Sequence, residues 1–127
     1  MIGYVTLGTN DLERGATFYD AIGKELGVGR MMGSEADGFI AWGEFGGGAG
    51  IGLTKPFDGN AASVGNGVMV ALQAKDPDQV KRIYELALSL GGTSEGEPGP
   101  RGDSGFYGGY FRDLDGNKLN AFCMTSG

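Results

Sequence analysis

No histidine occurs anywhere in the 127 residues. That excludes every catalytic triad in which imidazole is the base, and it removes the commonest neutral ligand of transition metals. General acid or base work would fall to tyrosines such as Tyr4 and Tyr110, or to a carboxylate whose pKa burial has moved toward neutrality. Cysteine occurs once, at Cys123, so no internal disulfide forms; this agrees with a reducing compartment. Cys123 lies in an apolar strand pattern and reads as core. The 10 Lys and Arg residues are scattered and outnumbered by 16 Asp and Glu, for a net charge of −6. No basic stripe exists for phosphate backbones or anionic lipid, so neither nucleic acid nor membrane is expected as a partner. No apolar run approaches the roughly 20 residues needed to cross a bilayer, and the first residues lack a signal-peptide pattern. The expectation is a cytoplasmic protein of one domain, 1–127.

Glycine, by contrast, is abundant, with 27 residues beside four prolines. A composition this close to the low-complexity range raises disorder as an alternative. The glycines, however, fall between periodic apolar segments or inside strand-like ones, where they indicate bulges or close approach of the backbone to a ligand. Residues 2–8 alternate as a strand, Asn10 and Asp11 are cap candidates, and Leu12, Ala16, Tyr19, Gly23 and Leu26 line one face of a helix over 11–26. Gly27 stops it, and three short strands follow within 28–54. The pattern then restarts. A strand over 65–74 leads to Asp76-Pro77 and a helix lined by Val80, Ile83, Tyr84, Ala87 and Leu90. Gly91-Gly92 ends this helix, a Gly-, Pro- and Glu-rich loop follows, and 106–112 with 118–124 make a hairpin across Asp115-Gly116-Asn117.

The halves, about 1–57 and 65–125, align at an offset of 65 residues, which sets Asp11 on Asp76 and Tyr19 on Tyr84. This predicts an α+β fold of paired β-α-β-β-β repeats, forming half-barrel sheets with helices outside and a shared inner cleft. In strand phase, Val5, Leu7, Val68, Val70, Leu72, Leu119, Ala121 and Cys123 face the helices. Tyr4, Thr6, Met69, Ala71, Asn120, Phe122 and Met124 face the cleft. By the same period Phe106, Gly108 and Tyr110 point there. Trp42, Phe39 and Phe45 lie on a strand and its end, with Trp42 either core or pocket wall.

Several constellations read better as structure than as chemistry. Asp113-Leu114-Asp115-Gly116-Asn117 resembles a calcium loop, but its Gly comes too early and no Glu follows at the twelfth position, so it reads as a hairpin turn. Neither phosphate-loop pattern occurs within Gly43 to Gly52. Glu44 is a single carboxylate and reads as solvated. Arg101 sits in a flexible loop and also reads as solvated, with closure over a bound anion as the alternative.

Four segments, VTLGTNDLERGATFY at 5–19, LTKPFDG at 53–59, GNGVMVAL at 65–72 and YFRDLDGNKLNAF at 110–122, together resemble the vicinal oxygen chelate superfamily, which includes glyoxalase I, bleomycin resistance proteins and extradiol dioxygenases. The resemblance covers essentially the whole chain. Metal-dependent members carry His, His and Glu at the positions held here by Tyr4, Met69 and Asn120. Phenol, thioether and neutral amide supply no anionic charge at pH 7, so no metal and no cofactor is expected. In fosfomycin-resistance relatives a substrate-contacting Tyr stands at the position of Tyr110. The resemblance therefore implies a metal-independent binder of a small organic ligand, with Tyr4, Trp42, Met69, Phe106, Tyr110, Asn120 and Phe122 as ligand-binding residues, in a homodimer. The alternatives are a lyase, isomerase or dioxygenase with an unconventional site, and a structural partner domain with a filled cleft.

Overall fold

The computed structural model describes residues 1–125. The chain divides into two compact units, Met1–Val64 and a second that begins at Gly65. The first contains β1 (Tyr4–Gly8), α1 (Leu12–Leu26), β2 (Gly29–Ser34), β3 (Phe39–Gly43) and β4 (Gly50–Thr54). The second contains β5 (Val70–Gln73), α2 (Pro77–Ser89), β6 (Thr93–Pro100), β7 (Phe106–Arg112) and β8 (Lys118–Met124). The sheets have the same order, β1-β4-β3-β2 and β5-β8-β7-β6. In each, the first and last strands of the repeat pair in parallel and the other neighbours are antiparallel. A parallel pair needs a long crossover, which each repeat supplies with its helix and two intervening strands. This is the α+β fold of repeated β-α-β-β-β units with open sheets.

Both helices begin where the sequence places their caps. Asp11 Oδ1 accepts from Arg14 N–H at 3.1 Å, and Asp76 Oδ1 from Gln79 N–H at 2.8 Å. Gln79 Oε1 in turn accepts from Lys75 N–H at 2.9 Å. At the far end of α1, Gly27 adopts φ +80°, which lets the chain turn left-handed out of the helix. The buried stripe of α1, including Leu12, Ala16, Phe18, Tyr19 and Ile22, lies over one face of its sheet, to which Leu7, Ile40 and Leu53 contribute. In the second unit, Val80, Ile83, Tyr84 and Ala87 of α2 serve the same purpose for Phe111, Leu119, Ala121 and Cys123. Each large aliphatic or aromatic side chain so buried stabilises its unit by about 1.5–3 kcal/mol.

Two expectations about the second unit need correction. The strand expected over 65–74 starts only at Val70; before it, Val68 N–H donates to Gly65 O at 3.2 Å in a turn, and Val68 is 58% exposed. Val68 therefore leaves the helix-facing set, and Met69 precedes the strand. The expected loop is instead strand β6, an edge strand whose register against β7 shifts at Ser94/Gly96 and again at Gly96/Gly99. Pro98 and Pro100 made it read as a loop. An edge strand tolerates prolines because one row of its backbone groups has no neighbour to bond.

The hairpin turn between β7 and β8 is organised by one buried carboxylate. Asp113 Oδ1 accepts from Asp115 N–H and Asn117 N–H, and Oδ2 from Asn117 Nδ2, each at 2.9 Å. Arg112 Nη1 donates to Gly116 O at 2.8 Å. Asp113→Ala leaves buried donors without acceptors, and each such group costs about 1–3 kcal/mol. The variant is expected to lose about 2–4 kcal/mol in urea unfolding, whereas Asp113→Asn should lose less.

Candidate functional site

Because each sheet carries its helix on one side, the alternate strand side chains point to its other, open face. In the first unit this open face carries Tyr4, whose residue exposure is 55%, with Thr6, Phe39 and Ala41. The Tyr4 and Phe39 rings meet edge-on with centroids 6.5 Å apart. Phe39 has room because Gly52 lies beneath it; a Cβ there would come within 2.6 Å of the ring. At the β2 bulge, Met31 is the residue skipped in the register, and its sulfur lies close to Gly43 and Gly50.

Trp42 is not on that face. It is 4% exposed, packs at 5.5 Å against Tyr19 of α1, and donates from Nε1 to Asp20 Oδ1 at 2.8 Å. Asp20 also accepts both prongs of the Arg30 guanidinium at 2.9 Å. Trp42 is thus a core residue tied to a surface ion pair, and the pocket-wall reading is corrected. The alternation in β3 decides this, since Ile40 and Trp42 share one side and Phe39 and Ala41 the other.

The open face of the second unit carries Phe106, Gly108 and Tyr110 from β7, Lys118, Asn120, Phe122 and Met124 from β8, and Ala71 and Gln73 from β5. Tyr110 and Asn120 are directly paired across the ladder. Phe106 and Phe122 stack with centroids 5.4 Å apart and planes 3° from parallel. Gly108, opposite Phe122, makes room for the Phe106 ring, which a Cβ there would meet at 2.9 Å. Met69, 40% exposed, precedes β5 and is not among these strand residues. Asn120 is 1% exposed, and its Oδ1 is a buried polar atom with no hydrogen-bond partner among the described residues.

Two cations approach the Tyr110 ring, Arg101 at 5.3 Å and Lys118 at 5.7 Å from the centroid. Arg112 pairs with Glu95 and holds its carboxyl below the ordinary value, chiefly by their hydrogen bond and then by charge; Lys118 adds to the lowering by its charge. Burial, and secondarily the charge of Asp76, push the Cys123 thiol up, which leaves it a poor nucleophile.

The family model of the Glyoxalase/Bleomycin resistance protein/Dioxygenase superfamily matches residues 1–121. The chain belongs to this superfamily. A glyoxalase/bleomycin resistance protein from Albidiferax ferrireducens is similar at 32% identity and a TM-score of 0.88, over 98% of this chain and 99% of that one. A hypothetical protein from S. aureus is similar at 25% identity and a TM-score of 0.71, over 94% and 91% of the two chains. A lactoylglutathione lyase from Agrobacterium tumefaciens shares the fold at 19% identity and a TM-score of 0.68, over 97% and 92%. No curated protein matches the chain.

Metal-dependent glyoxalase-superfamily members need imidazole and carboxylate donors, and the residues here do not fit that group. The chain has no histidine, and among the described residues no three Cys, Asp or Glu side chains converge into a cluster able to hold an ion. The unsatisfied Asn120 Oδ1 is a neutral acceptor that calls for an N–H or O–H donor. Sequence reasoning placed Asn120, Tyr110, Phe106 and Phe122 on one face, as found. It did not single out Phe39, Lys118 or the position of Arg101 over Tyr110; the Lys118-x-Asn120-x-Phe122 spacing was the available signal for Lys118.

The hydrogen bond from Arg30 is the largest cause that lowers the Asp20 pKa, followed on the same side by that from Trp42. A depressed folded-state pKa stabilises above the unfolded value, about 3.9, and that contribution is lost as pH falls through the folded value. Asp20→Asn should therefore unfold at lower urea than wild type at pH 7. The gap should close progressively below about pH 4; a gap independent of pH between 7 and 2 would contradict the assignment.

Proposed function

We propose that this chain is a metal-independent binder of a small organic molecule, of the glyoxalase and bleomycin resistance type, acting by sequestration or sensing in the cytoplasm. The observation that carries the reading is Asn120: a neutral amide at the position where the resemblance puts the superfamily's carboxylate, buried, with an acceptor oxygen that no group among the described residues satisfies. A buried acceptor left unpaired costs about 1–3 kcal/mol, so an incoming ligand donor gains by satisfying it. Around it, the Phe106–Phe122 stack and the Tyr110 ring supply flat apolar area, and the Tyr110 hydroxyl supplies a polar tip. Tyr4, beside Phe39 on the open face of the first unit, supplies the same combination there. Met69 belongs to the reading as an adaptable apolar contact. Each open sheet has unpaired edges, which favours assembly as a homodimer.

Elemental mass spectrometry tests the metal independence, on tag-free protein purified without chelators, before and after incubation with Mn, Fe, Co, Ni and Zn. No metal should be retained, and Asn120→Glu alone should retain none, because one carboxylate without anionic or imidazole partners does not make a divalent site. Retention of one metal per wild-type chain would overturn the reading and favour a lyase, isomerase or dioxygenase.

A further inference from the structure

The geometry points to Arg101 as the anchor for the anionic group of that ligand, making the ligand a small aromatic carboxylate with a hydroxyl or N–H donor; this rests on the small-molecule reading above. Arg101 does not behave as a solvated loop side chain. Its Nη1 donates to Gly99 O at 2.8 Å and Pro100 O at 3.3 Å, and its Nη2 to Glu97 O at 2.6 Å. The guanidinium lies close above Gly96 and Gly99, where an added Cβ would stand 3.3 Å from its nitrogens, and against the Tyr110 ring. Three carbonyls, two glycines and one ring hold it in place on the open face.

That arrangement positions the charge without neutralising it. Carbonyls orient a guanidinium but carry no net charge, and among the described residues Arg101 has no ion pair within 4.0 Å, although Glu97 and Asp103 are close in sequence. Arg30 and Arg112 contrast directly with it: Arg30 gives Nε and Nη2 to the two oxygens of Asp20, and Arg112 gives Nε to Glu95. Of the five N–H donors of Arg101, three are used on carbonyls, leaving Nε–H and one on Nη2. These are the atoms from which Arg30 makes its two-pronged contact. A pre-oriented guanidinium with donors to spare binds a carboxylate at little entropic cost.

The second observation is independent of the first. Tyr110, the ring beneath Arg101, is the ladder partner of Asn120, whose buried Oδ1 needs a donor. At 1% exposure, Asn120 is covered by its neighbours, so only a small group such as a hydroxyl or an N–H would reach its Oδ1, once they shift. The Phe106–Phe122 stack, on the same face, suits a flat body. In a chain of net charge −6, the fixed Arg101 cation at this face, with Lys118 also beside the Tyr110 ring, gives a negatively charged ligand a local attraction.

The test uses three probes on the full chain, 3-hydroxybenzoate, benzoate and 3-hydroxybenzyl alcohol, titrated while the amide NMR signals of Tyr110, Asn120 and Phe122 are followed. The expected order is 3-hydroxybenzoate tightest, then benzoate, with the neutral alcohol weaker than 3-hydroxybenzoate by about tenfold or more. Arg101→Gln should abolish the preference for carboxylate. Arg101→Lys, which keeps the charge but loses the fork, should fall between, and Asn120→Ala should abolish the preference for the hydroxyl. Circular dichroism of each variant confirms folding, and the wild-type ranking of probes stands as a test even if Arg101→Gln does not fold. Equal binding of alcohol and carboxylate by wild type, or a carboxylate preference that survives in Arg101→Gln, would overturn the anchor and leave the small-molecule reading intact. If no probe moves the three signals, the small-molecule reading fails and the anchor with it.

Discussion

Everything in this protein follows from each four-stranded sheet having one helix and therefore one dry face. The stripe of α1 covers Leu7, Ile40, Trp42 and Leu53, and that of α2 covers Phe111, Leu119, Ala121 and Cys123. Because strand side chains alternate, burying these sets commits the intervening residues to the opposite side. Tyr4, Thr6 and Phe39 in one unit, and Phe106, Tyr110, Asn120 and Phe122 in the other, are placed by their neighbours' need for the core. A one-residue slip in either sheet would exchange core and open face together.

Within that constraint the glycines gain specific meaning. Gly52 and Gly108 leave space for the rings of Phe39 and Phe106, so rings of the chain itself occupy room that the composition had suggested for a ligand. Gly33 has a different role: at φ +86°, with Phe39 O only 2.0 Å from where a Cβ would stand, it makes the approach of β2 to β3 possible. Gly96 and Gly99, in the bulged edge strand, seat the Arg101 guanidinium. High glycine content is therefore a packing requirement of this fold, and low complexity is not its explanation.

The open faces carry no imidazole, because the chain has no histidine, and among the described residues no cluster of carboxylates or thiols able to hold a metal ion. The absence of such donors among the described residues does not by itself make a binding face, since Tyr, Met and Asn could as well pack into a core. What distinguishes Asn120 is that burial has removed its acceptor from water while no group among the described residues replaces it. Such a group is tolerated when something outside the protein completes it.

The sequence alone determined the elements of the repeat and their phase: Asp11 and Asp76 as caps, Gly27 as a stop, the 65-residue offset, and the alternation that sets Asn120 and Phe122 against Leu119 and Ala121. These are local effects of hydrogen-bonding side chains and of period-two apolar pattern, so they are legible in a short window. It misled at 93–100, because Gly and Pro signal a loop unless the segment lies at a sheet edge, and edge position is a property of strand order. It misled at Val68 as well, where an apolar residue falls in a turn. Only the tertiary structure decided that Trp42 joins α1 and Asp20, that Phe106 stacks on Phe122, and that Arg101 lies over Tyr110. Those contacts join residues 9 to 23 positions apart, and pairing at such distance is set by sheet register and by the space that glycines leave.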